Sequence, residues 1–74
     1  MGGSLPVLKP KEIISILNSL DFVMVRQRGS HQQFRHSDGR ATTVPVHNRD
    51  ISPLLTRQIR KDIGVTTKEF LSNK

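Results

Sequence analysis

The sequence predicts a small α+β domain in the order α-β-β-β-α with a short final helix, built on a three-stranded antiparallel sheet. Three observations lead there. Apolar residues at i, i+3, i+4 and i+7 (Ile13, Ile16, Leu17, Leu20) give way to β-branched and aromatic alternation from Phe22 onward. Glycines 29 and 39 divide that alternation into three short runs, and Ser52-Pro53 with Gly64 brackets a second helical stretch. At 74 residues only one core can form. Residues 8–74 therefore read as a single domain behind a flexible segment over residues 1–7, of which Met1-Gly2-Gly3-Ser4 offers nothing that could pack.

Pro10 suits the first position of a helix, where its missing N–H costs nothing, and the helix runs about three turns. Asn18 and Asp21 close it, since Asp is one of the few residues that tolerate a left-handed backbone. Phe22–Gln27 reads as the first strand and Gln32–His36 as the second, joined at Gly29. Ser37-Asp38-Gly39-Arg40 is a turn whose Asp-Gly pair supplies the positive φ of tight hairpins, and Ala41–Val46 is the third strand.

Alternation assigns faces. With Phe34 turned to the core, Gln32 and His36 share its side, while His31, Gln33 and Arg35 take the other. Thr42, Val44 and Val46 turn inward, which leaves Thr43, Pro45 and His47 outside. In the first strand Phe22 and Met24 compete with Val23 and Val25 for the core side, and the pattern does not choose. The second helix starts on a Ser52 cap, buries Leu55, Ile59 and Ile63, and turns Arg57, Arg60 and Lys61 to solvent. Thr66 with Glu69 caps a last short turn that folds Phe70 and Leu71 onto the core.

Composition excludes several classes. The chain has no cysteine, which removes disulfides and thiolate zinc and fits a reducing cytosol. No apolar run nears the roughly 18 residues of a membrane span, and the start lacks a secretory pattern, so a soluble cytoplasmic protein is expected. Twelve Lys and Arg against six Asp and Glu leave a net charge of +6, which favours an anionic partner. Between Arg26 and Arg49, five arginines face only Asp38, and all three histidines fall in the same window.

Within that window Gly29-Ser30-His31 places an imidazole directly after a permissive corner, flanked by Arg26, Arg28 and Arg35. Imidazole is the side chain whose ordinary pKa lies near neutrality, so it can accept and return a proton without special burial. RNA carries its own nucleophile, the 2′-hydroxyl. Cleavage needs a base for that proton, cations for the phosphorane charge and an acid for the leaving oxygen. The residues thus suit His31 as general base or acid, with the arginines and the N–H groups of Gly29 and Ser30 holding phosphate. His47 ends the third strand on the face assigned to His31 and is a candidate to touch RNA or assist it.

The same order of elements, with Arg26-Gln27-Arg28-Gly29-Ser30-His31 and Val44-Pro45-Val46-His47, resembles the HicA toxin family, also called YcfA-like proteins. The resemblance runs from about Leu8 to Leu71. It implies a fold similar to a double-stranded-RNA-binding domain with the helices on one face of the sheet, activity as an mRNA interferase, and neutralisation by a HicB-type antitoxin. The family's histidine falls on His31. Asp21 stands where many members have glycine, and Ile51-Ser52-Pro53-Leu54 departs from their glycine-containing helix start.

Other readings compete. The three histidines match no compact ligand spacing and no cysteine joins them, so no metal or other cofactor is expected. No carboxylate lies close in sequence to complete a triad with Ser30. A non-catalytic RNA-binding module would use the same basic face, as would an adaptor for an acidic protein. Three phenylalanines without Trp or Tyr disfavour base stacking on the sheet.

Overall fold

The computed structural model describes residues 5–74. Among these, α1 (Pro10–Ser19), β1 (Val23–Arg28), β2 (His31–Arg35), β3 (Ala41–Pro45), α2 (Pro53–Asp62) and α3 (Thr67–Ser72) follow one another in the expected order. The strands form an antiparallel sheet ordered β1-β2-β3, and α1 and α2 both pack against β3.

Local chemistry fixes the helix ends. The Glu12 carboxylate accepts the Lys9 backbone N–H at 2.8 Å ahead of Pro10, and the Ser52 hydroxyl accepts the Leu55 N–H at 3.1 Å ahead of Pro53. Past α1, Asp21 adopts φ 68°, which lets the Phe22 N–H reach the Leu17 carbonyl at 2.9 Å and the Asp21 N–H reach the Asn18 carbonyl at 3.1 Å. That reversal turns Phe22 back toward the helix, and Phe22 and Leu17 are both fully buried. Gly64 ends the α2 region in the same left-handed conformation, at φ 70°.

The core gathers Leu8, Ile13, Ile16, Leu17, Phe22, Phe34, Val44, Ile51, Ile59, Ile63 and Phe70. At about 1.5–3 kcal/mol for each large apolar side chain taken from water, this layer is the main source of stability. Sequence spacing did not find Leu8 and Ile51, which lie outside helix and strand and meet in an isolated antiparallel bridge, the Ile51 N–H donating to the Leu8 carbonyl at 2.7 Å. Leu5, expected to lie in a flexible segment ahead of the domain, packs in the same cluster. The remainder of that expected flexible segment includes residues 1–4, which lie outside the described residues.

Several expectations are corrected. The strands begin and end a residue or so from their expected bounds, with Phe22 just before β1 and His36 just after β2. In the 37–40 turn only Gly39 has positive φ, because the His36 N–H bonds the Arg40 carbonyl and closes a three-residue loop rather than a two-residue one. Arg60, expected on the solvent side, is half-buried and donates to the Val65 carbonyl at 2.6 Å. Arg40 also leaves the basic field. It pairs with Asp38 at 2.8 Å, lies 5.1 Å from the Phe22 ring centre and donates to the Ile63 carbonyl at the end of α2.

Candidate active site

The corner that carries His31 is a two-residue hairpin. Arg28 and His31 pair across it, and Gly29 in its first position takes φ 59°. Positive φ in that position suits the right-handed twist of the flanking strands, which is why glycine stands there. Gln27 closes the turn from the side, its amide donating to the Gly29 carbonyl at 3.1 Å.

Cross-strand register assembles the face. His31 lies between Arg28 on β1 and Pro45 on β3. The next row of the same face is Arg26, Gln33 and Thr43, and the last is Val23, Arg35 and Ala41. Directly opposed residues share a face, with side chains roughly 5 Å apart. Arg28 is therefore His31's immediate neighbour and Arg26 is one row away. Arg35 is four residues along β2, roughly 13 Å from His31. His31, Gln33 and Arg35 are exposed while Phe34 is buried, as alternation required.

What alternation could not settle in β1, an irregularity settles. The register shifts between Met24 and Arg26, so Val25 is the extra residue of a bulge. Arg26 and Arg28, both on the hairpin side of the bulge, share His31's face by alternation, while the bulge reverses the phase of Val23 and Met24 before them. All six β1 residues are exposed, so no buried side chain betrays the strand's phase in the sequence.

The Ser30 carbonyl accepts the Val46 N–H at 2.6 Å, which ties the His31 corner to the segment after β3. His47 follows there, exposed, with its Nδ1 accepting the Arg49 N–H at 3.1 Å. A neutral ring so held carries its proton on Nε2. His36 has another setting: it packs edge-on to Phe22 with ring centres 5.2 Å apart, and its Nδ1 accepts the Asp38 N–H at 3.0 Å. It belongs to the core side. Among the described residues no group of three metal-ligating side chains converges.

Fold and site together define a class: a small basic α+β domain that presents one histidine beside arginines on the open face of a three-stranded sheet. The chain belongs to the family described as the HicA toxin of bacterial toxin-antitoxin systems, whose sequence model matches residues 10–65. No curated protein matches the chain. The matched span includes both helices that pack on β3, the whole sheet and the His31 corner. None of the helices is long and apolar enough to cross a membrane, among the described residues.

Proposed function

We propose that the protein is an mRNA interferase, a metal-independent endoribonuclease of a toxin–antitoxin pair that acts on cytoplasmic messenger RNA. The observation that carries this reading is the row Arg28–His31, with Arg26 beside it, on an uncovered sheet face. The scissile phosphate lies against the Arg28 and Arg26 guanidinium groups and the Gly29 and Ser30 N–H groups. His31 takes the 2′-hydroxyl proton or supplies one to the departing 5′-oxygen. Arginine suits the phosphorane, because its fixed fork of donors matches two oxygens at once. Arg35 meets a flanking part of the strand, and His47 adds a donor near the corner.

The products of this route are a 2′,3′-cyclic phosphate and a 5′-hydroxyl. Incubating end-labelled RNA with the protein in excess chelator tests it: cleavage with those termini supports the reading, whereas 3′-hydroxyl ends or chelator-sensitive activity overturn it. Retention of RNA without cuts assigns the fold to a non-catalytic binding module instead. A HicB-type antitoxin fits the same basic face. Acidic groups there would cover His31 and displace RNA in one step.

A further inference from the structure

The Leu8–Ile51 bridge draws together two stretches, the start of α1 and residues 46–49. Between them is a cleft lined by Lys9, Lys11, His47 and Arg49 over Pro10 and Val46. None of its lining residues is acidic. The carboxylates nearest in sequence are engaged: Asp50 lies 3.9 Å from the Lys9 ammonium, and Glu12 caps the Lys9 N–H and lies 3.7 Å from Lys74. Lys11 and Arg49 are exposed, and neither forms an ion pair among the described residues. With His47 holding its proton on Nε2, the charged and imidazole groups of the cleft offer donors only, a set that suits an anion with several oxygens.

Val46 on the cleft wall donates its N–H to the Ser30 carbonyl, which places the cleft next to the His31 corner. We propose that it is a second phosphate site, which seats a backbone phosphate of the RNA strand flanking the bond cut at His31. The inference rests on the RNA-cleaving reading above and adds to it. Groups that grip the strand away from the reacting bond serve to position it, so removing them slows cleavage of long RNAs and spares minimal ones.

The test compares a Lys11→Ala/Arg49→Ala variant with an Arg57→Ala/Lys61→Ala control that removes equal charge from the exposed side of α2. In a His31→Ala background, binding to a labelled single-stranded dodecamer is followed against salt. The cleft variant should bind several-fold more weakly, with a logarithmic salt slope shallower by about 0.7 for each phosphate it no longer neutralises. The control should keep the parent slope. An unchanged slope in the cleft variant, an equal change in the control, or a parent that does not bind RNA overturns the site. With His31 intact, kcat/KM on the dodecamer should fall about tenfold while a dinucleotide is cut at the parent rate; an equal fall on both also overturns it. A parent that binds RNA yet cuts neither substrate defeats the catalytic reading alone, and the slope comparison still decides the cleft.

Discussion

His31 and His36 are five residues apart at the two ends of β2, and the sheet gives them opposite settings. His36 shares the side of Phe34, where the Phe22 ring and the Asp38 N–H occupy its edge and its Nδ1. His31 shares the side of Gln33 and Arg35, exposed, with Arg28 as its cross-strand neighbour. The same imidazole is a packing element in one place and, in the proposed reaction, a proton carrier in the other. The difference is the parity of its position along a strand, which sends neighbouring side chains to opposite faces.

The strongest way to break this contrast is to remove each ring in turn. His31→Ala should lower cleavage by about 10²–10⁴-fold, the usual contribution of a general acid or base, and leave stability within about 0.5 kcal/mol. Steady-state rates beside thermal unfolding measure both. His36→Ala should do the reverse: without the edge-on packing against Phe22 it should be less stable by about 1–2 kcal/mol, several degrees in Tm for a domain of this size, with the rate within about twofold. A folded His36→Ala protein that fails to cut RNA would erase the distinction.

The smallest effect sharpens the contrast from the side of Asp38. The Arg40 backbone N–H donating to its carboxylate, with the Arg40 guanidinium and His36 nearby, lowers the Asp38 pKa below its ordinary 3.8 despite partial desolvation. A group lowered in the folded state stabilises it above the unfolded value, and that contribution disappears as pH falls through the folded one. Unfolding followed between pH 5 and pH 2 should therefore show a slightly steeper acid loss for the parent than for Asp38→Asn. His31→Ala should follow the parent curve, because the turn at Asp38 lies at the other end of β2. Identical curves for the parent and Asp38→Asn would remove Asp38 from the account.

Much of the fold was legible because it depends on local rules. Proline and serine at helix starts, Asp21 and Gly64 at left-handed ends, and alternation around Phe34 each act within a few residues, and each appears where the sequence placed it. The phase of β1 was not legible, since an edge strand with every residue exposed carries no burial pattern, and a one-residue bulge reverses its phase midway. Nor could spacing find Leu8 and Ile51, whose burial comes from a bridge between segments far apart in the chain. Arg40 and Arg60 misled for a related reason. Charge alone sends arginine to solvent, but the Ile63 and Val65 carbonyls, just past the end of α2, accept from the two guanidinium groups and hold them inward.

What the sequence determined by itself was the identity and order of the elements, the exposure of His31 and the family to which the chain belongs. These follow from short-range sterics, capping and side-chain period. Tertiary structure alone decided that Arg26 and Arg28 stand on His31's face, that Arg35 is two rows away, and that the start of α1 closes a basic cleft with residues 46–49. Those placements depend on register and on a bridge between distant segments, and register is set by pairing across strands, which no single stretch of chain encodes.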